Sequence, residues 1–300
     1  ALSRHHTYVR YDQRGCGLSD ADVRDFSLDA WVGDLEAVVD GLGLQRFPLL
    51  GMSQGGAVAI AYAVRHPERV SQLVLVGAYA RGALRRAVTE AERLESMTLI
   101  NLVRVGWGRD NPAFRQVFTN LFIPDGTPQQ HQWWNELERL TVTPDNAART
   151  LEAFYDIDVR ELAGQVRVPT LVMHSRGDAR VPFDEGRQLA ALIPGARFVP
   201  LNSRNHVLLE GESAWELFLR ELRSFVGAAA APSWEALGLT PSERAVLLLV
   251  AQGLDNHAIA LQLGKGEKTV RNQVTSIFAK LGVCTRAEAI VRARDGASSL

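Results

Sequence analysis

The chain has 300 residues, 46% of them hydrophobic and 22% charged, a globular composition that excludes disordered, collagen-like and disulfide-scaffold classes. Lys and Arg number 33 against 34 Asp and Glu, a formal net charge of -1, so any attraction to nucleic acid or to an anionic membrane must be local. No apolar run reaches the length of a membrane span, and no membrane partner is expected.

The chain begins at Ala1 and meets an apparent strand almost at once, over residues 8–11, a start that reads as a cut. A helical stretch over 31–42 leads to a β-rich run at 47–50, a helix at 55–66 and a second run at 70–76. Residues 81–160 break this alternation with a mostly helical insert rich in aromatic side chains, including Trp107, Phe114, Phe118, Trp133 and Trp134, which reads as a lid over the sheet's edge. The alternation resumes with runs at 170–174 and 197–200 and helices at 183–192 and 214–226. Strand and helix in turn are the pattern of a parallel sheet, so residues 1–226 are expected to form an α/β domain. Residues 227–233 are too small to pack and contain a helix-breaking proline, as a linker would. Residues 234–300 form an all-α domain of four helices. All three lysines, Lys265, Lys268 and Lys280, fall in this last part, which is mildly basic while the larger part is mildly acidic. Cys16 and Cys284 have neither metal-ligand nor redox spacing and read as small buried thiols of a cytoplasmic protein; no metal site and no cofactor are called for.

The run at 47–50 passes straight into Gly51-Met52-Ser53-Gln54-Gly55, a G-x-S-x-G turn between strand and helix. So tight a turn forces Ser53 into a strained backbone conformation, and Gly51 and Gly55 avoid side chains that would collide across it. The next helix aims its N-terminus at the serine, where its partial positive charge favours a developing oxyanion, and the Gln54 backbone N–H supplies an oxyanion donor. A serine hydroxyl needs a base, and the base an orienting acid. Asp178 follows the run at 170–174 and His206 the run at 197–200, each at the C-terminal end of its strand, where open α/β sheets hold their chemistry. His66, His131 and His174 read as packed or solvated, and Asp184, the rival acid, as a helix cap.

Together with Tyr11-Asp12-Gln13-Arg14-Gly15-Cys16-Gly17-Leu18-Ser19-Asp20, these motifs make residues 6–226 resemble the α/β-hydrolase superfamily. Residues 10–81 are especially similar to hydrolase-like domains fused to bacterial signalling or DNA-binding domains. By the superfamily's pattern the first three strands, and the oxyanion loop after the third, have no counterpart here. The strand at 8–11 then lacks its pairing partner, and the sequence reads as an incomplete copy of a longer protein.

Further on, Thr240-Pro241-Ser242-Glu243 is a capping box with proline at the first helical position; Val246, Leu249 and Val250 line the inner face of that helix and Gly253 stops it. Asp255 caps a second helix through Leu263, ended by Gly264; a third runs over about 267–281, and a fourth follows Thr285 with Ala287, Ala289, Ile290 and Val291. In the third helix Val270, Val274, Ile277, Phe278 and Leu281 form one apolar stripe. The opposite face presents Lys268, Asn272, Thr275, Ser276 and Ala279, flanked by Arg271, Gln273 and Lys280, with no acid among them. Short polar side chains that reach base edges, flanked by cations that reach phosphates, suit a helix entering a major groove.

Residues 239–295 resemble the LuxR-type (NarL/FixJ) helix-turn-helix domain through Gly253-Leu254, Ile259-Ala260, Thr269-Val270-Arg271 and Lys280-Leu281-Gly282-Val283. The resemblance implies DNA contacts from Lys268, Thr269, Arg271, Asn272, Gln273, Thr275, Ser276 and Lys280, and a homodimer on promoter DNA. Gly266, Ala258 and Gln273 stand where that family usually has a serine cap, a glutamate and a phosphate-contacting histidine. The two parts together imply a bacterial transcriptional regulator whose hydrolase-like domain senses a small molecule. The alternatives are an active esterase or amidase with an accessory DNA-binding domain, and an idle fold kept for dimerisation.

Overall fold

A computed structural model of the chain describes residues 2–4, 6–227, 238–283, 285–286, 288–290 and 293. The chain divides into two compact units, Val9–Phe225 and one that contains the helices after residue 226. Of the predicted linker only Gly227 lies within the described residues, and Cys284 lies outside them.

In the larger unit, α1 (Leu28–Gly41) starts where the Ser27 hydroxyl accepts the Ala30 N–H, and it buries Trp31, Val32, Leu35 and Val39 along one stripe. β1 (Phe47–Met52), α2 (Gly55–Arg65) and β2 (Val70–Val76) follow. Residues 56–63 of α2 are all buried, which its run of glycine and alanine permits by letting the helix lie close to the sheet. The insert holds α3 (Ala83–Arg86), α4 (Glu90–Gly106), α5 (Ala113–Phe122), α6 (Pro128–Thr141), α7 (Pro144–Asp156) and α8 (Arg160–Ala163). The chain then returns through β3 (Thr170–Ser175), α9 (Phe183–Leu192), β4 (Arg197–Leu201) and α10 (Ser213–Val226). Among the described residues the sheet has the order β1-β2-β3-β4, all parallel, so the C-terminal ends of the strands share one edge. β3 is buried at every residue, as a strand with neighbours on both sides and helices on both faces must be.

Residues 8–11 form no strand: Tyr8, Val9 and Tyr11 are exposed. Their composition suits a strand, but an extended run becomes one only through hydrogen bonds to a neighbour, and no described residue pairs with it. The loop that follows is nonetheless fixed. Arg14 forks onto the Asp34 carboxylate at 2.8 and 2.7 Å, and the Asn146 amide donates to the carbonyls of Gly15 and Ala21.

The smaller unit contains α11 (Pro241–Ala251), α12 (Asn256–Leu263) and α13 (Glu267–Leu281). The capping box forms as expected, the Thr240 hydroxyl accepting the Glu243 N–H and the Glu243 carboxylate accepting the Thr240 N–H. Asp255 caps α12, and Gly264 and Gly282 end α12 and α13 in the left-handed conformation. Val246, Leu247, Ile259, Val270 and Ile277 form the core. The predicted fourth helix lies only partly within the described residues, where Ala289 and Ala293 are buried against that core. Among the described residues no helix is long and apolar enough to cross a membrane.

Candidate active site and nucleic-acid interface

Ser53 sits between the end of β1 and the start of α2 with φ 53°, the positive value expected of a nucleophile turn. Its N–H donates to the Val76 carbonyl at 2.8 Å, tying the turn to β2. Gly51 is needed there, since a Cβ would stand 2.8 Å from the Gly55 oxygen. Gly55 itself would meet nothing, contrary to expectation; the second crowded glycine is Gly56, whose Cβ would lie 2.4 Å from that of Ala78. Helix α2 starts beside the serine, and the Gln54 backbone N–H at its head meets no acceptor among the described residues.

Asp178 and His206 are brought together from the loops after β3 and β4. The His206 Nδ1–H donates to Asp178 Oδ2 at 2.7 Å, which leaves Nε2 as the basic nitrogen; it is buried and bonds to no described residue, Ser53 included. Asp178 Oδ1 accepts the N–H groups of Arg180 and Val181, both at 2.8 Å. Burial by itself raises the Asp178 carboxyl, but bonds from His174 and His206 and from the Val181 N–H outweigh it and hold the group well below the usual carboxylate range. His174, whose sequence context reads only as packed or solvated, is a further partner: its Nε2–H donates to the Val181 carbonyl at 3.1 Å and lies 3.4 Å from Asp178 Oδ2. Two further glycines make room, since a Cβ at Gly77 would approach His206 Cε1 to 3.0 Å and one at Gly186 would reach His174 Nδ1 at 2.3 Å.

The other candidates stand elsewhere. Asp184 caps nothing; it lies in the first turn of α9 and pairs with Arg187, because Pro182 occupies the cap position. His66 pairs with Glu36, and His131 bonds the Ile123 carbonyl inside the insert.

Ser53, Gln54 and His206 open onto one cavity of about 370 Å³. The insert supplies most of its aromatic wall through Trp107, Phe118, Phe122, Trp134 and Phe154, whereas Trp133 is exposed. Cys16 also faces this cavity, half-buried rather than buried as expected, its thiol pushed up by burial. The insert is bound to the histidine loop, for the His206 and Val207 N–H groups both donate to the Phe122 carbonyl and the Asp125 N–H donates to Asn205 Oδ1.

On α13 the apolar stripe packs inward, with Phe278 half-buried and the other four buried. Lys268, Thr269, Arg271, Asn272 and Thr275 are exposed. Gln273, Ser276 and Lys280 turn instead toward α11: Gln273 donates to Ser242 Oγ at 2.7 Å and Ser276 to Glu243 Oε1 at 2.8 Å. The Lys280 ammonium donates to the Gly238 carbonyl at 2.9 Å and to the Glu243 carboxylate at 2.8 Å. Lys280, above all, holds the Glu243 carboxyl down at about 2. Lys280, expected to meet phosphate on DNA, pairs within the unit here, because a long side chain on a helix flank bends toward a buried carboxylate within reach. Arg271 pairs with Glu267 at 3.1 Å in an exposed i,i+4 contact of little strength, which leaves its guanidinium available.

Residues 1–212 match the alpha/beta hydrolase fold family, and residues 237–293 match the luxR family of bacterial regulatory proteins. The AB hydrolase superfamily protein YisY of Bacillus subtilis is 29% identical over 207 residues, 68% of this chain and 75% of that protein. The 2-hydroxymuconate semialdehyde hydrolase of Pseudomonas putida is 30% identical over 250 residues, 76% of this chain and 80% of that one. Among solved structures, the esterase EaEST of Exiguobacterium antarcticum is similar with a TM-score of 0.62 at 26% identity, over 72% of this chain and 79% of that chain. The sheet, the strained serine turn and these matches agree: the chain belongs to the alpha/beta hydrolase fold family and carries a luxR-family regulatory domain after its hydrolase-fold domain.

Proposed function

We propose that this protein is a DNA-binding transcriptional regulator, dimeric on promoter DNA, whose hydrolase-fold domain receives a small-molecule ligand. The outward face of α13 carries the reading: Lys268, Arg271, Asn272 and Thr275 stand exposed on a helix within the luxR-family match. A merely solvated helix face gains from interleaved acids, while this one offers donors and short polar groups suited to base edges. One such helix covers only a few base pairs, so two copies on two half-sites are expected. Selection of bound fragments from a random-sequence DNA library by the full chain tests this, with the mass of the selected complex as second readout. An enriched sequence of two half-sites carrying two chains is the expected result; no enrichment over the input library rejects the regulator.

The His206–Asp178 bond favours a second reading, in which the same domain is a serine esterase or amidase. Ser53 Oγ attacks the substrate carbonyl as His206 Nε2 takes its proton, and Asp178 steadies the imidazolium. The Gln54 N–H receives the oxyanion, collapse passes the proton to the leaving group, and water repeats the cycle on the acyl-serine. A fluorophosphonate probe should label Ser53 in the full chain, with labelling abolished in Ser53→Ala and slowed at least about tenfold in His206→Ala. Equal rates in the wild type and His206→Ala would show that His206 does not activate the serine.

A further inference from the structure

Two guanidinium groups line the Ser53 cavity, and neither is bonded to an acid among the described residues. Arg86 ends α3, Arg180 follows Asp178 by two residues, and both are half-buried. Their near neighbours are paired, Arg81 with Glu185 and Arg85 with Asp156. Arg86 and Arg180 instead rest on rings: the Arg180 Cζ lies 5.1 Å from the Tyr155 centroid and 5.9 Å from that of Phe122, and the Arg86 Cζ lies 6.0 Å from that of Tyr79. Among the described residues neither forms an ion pair or a side-chain hydrogen bond, and no Asp or Glu among them lines the cavity. Glu185 on α9, whose charge acts on Arg86, is already engaged by Arg81. On the same wall the Tyr155 hydroxyl and the Trp107 indole N–H are buried and bond to no described residue.

An arginine cannot relieve burial by losing its proton, so two of them on one cavity, partly out of water and with no carboxylate bonded to either among the described residues, cost free energy. Burial lowers the Arg86 guanidinium, the charge of Glu185 offsets part of this, and the charge of Arg180, which lines the same cavity, lowers it again. A bound anion removes that cost, and the planar forks suit a head with two or three oxygens. Most of the remaining wall is aromatic or aliphatic and suits an apolar body.

We infer that the cavity beside Ser53 binds an apolar compound ending in a carboxylate or a phosphate monoester, its anionic head held by Arg86 and Arg180 and its body against the aromatic wall. This deepens the small-molecule reading and rests on it. Calorimetric titration of the full chain with 4-phenylbutanoate, 3-phenylpropyl phosphate and the neutral 4-phenylbutanamide tests it. At least one anion should bind about tenfold or more tightly than the amide, and the stronger of the two identifies the head. The preference should vanish in Arg86→Gln/Arg180→Gln and persist in part in Arg86→Lys/Arg180→Lys. Binding of none of the three, an amide as tight as both anions, or a preference that survives the double glutamine variant overturns the inference; if that variant does not fold, the wild-type comparison decides. The failures are separable. An unlabelled Ser53 with intact anion preference removes only the catalytic reading, and unselective DNA binding removes only the regulator.

Discussion

The Asp178 carboxylate collects N–H groups from a neighbouring turn and from two histidines, and so it stays ionised in a place that water does not reach. Glu243 is its counterpart in the smaller unit. Held by Lys280 at about 2, it contributes stability that is full above its unfolded value, near 4.5, and fades as pH falls through about 2. Lys280→Met should therefore destabilise α13 at neutral pH by about 1 to 3 kcal/mol, read as faster hydrogen exchange of its amides, with the penalty shrinking toward pH 2. Unchanged exchange at neutral pH would mean the pair is only decorative. Arg271, by contrast, should act on DNA: Arg271→Ala is expected to cost about 1 to 3 kcal/mol on the selected sequence and much less on random DNA. Equal loss on both would make it a phosphate contact. That Ser53, Asp178 and His206 follow β1, β3 and β4 was legible, because the glycine turn and the β-rich runs before them are local signals. His174, Gly77 and Gly186 were not, since what matters at each is an approach between distant parts of the chain that leaves no local pattern. The Lys280–Glu243 pair was not legible for a related reason: helical spacing places a side chain on a flank but does not say which way four methylenes bend.

Among the elements, the insert carries the least ordinary electrostatics. Arg115, 2% exposed, donates to the carbonyls of Trp107 and Asn135, and Glu138 beside it is pushed up to about 8 by burial while accepting the Trp134 indole N–H. A carboxyl raised in the folded state adds stability below its unfolded value, near 4.5, and loses it as pH rises through about 8. Glu138→Gln should accordingly raise the unfolding temperature above pH 8 and leave it unchanged near pH 4.5; the same shift at both pH values would show that charge is not the cause. The four strands of the sheet were readable from short β-rich runs bounded by turns, and the helices of the smaller unit from caps and stops, because these signals are local. The run at 8–11 carries the same composition, but pairing is a property of two segments and composition reports on one.

At the scale of the whole molecule, a regulator requires that ligand and DNA each change the affinity of the other by one shared factor. A saturating concentration of the tighter anionic probe should change affinity for the selected DNA about fivefold or more, and that DNA should change probe affinity equally. Affinities that ignore each other would make the two domains independent binders on one chain. Composition follows the two units: every lysine lies in the one that contains the helices after residue 226, while the other relies on arginine alone.

Ser53 is the only non-glycine with positive φ among the described residues. Strain of that kind costs about 1 to 3 kcal/mol, and glycine would relieve it. A lineage that kept this fold only as a binding shell would drift to glycine at position 53 and become more stable, whereas selection for chemistry would retain the hydroxyl. Across chains that carry both domains, serine at this position is therefore expected where chemistry is under selection and glycine where it is not.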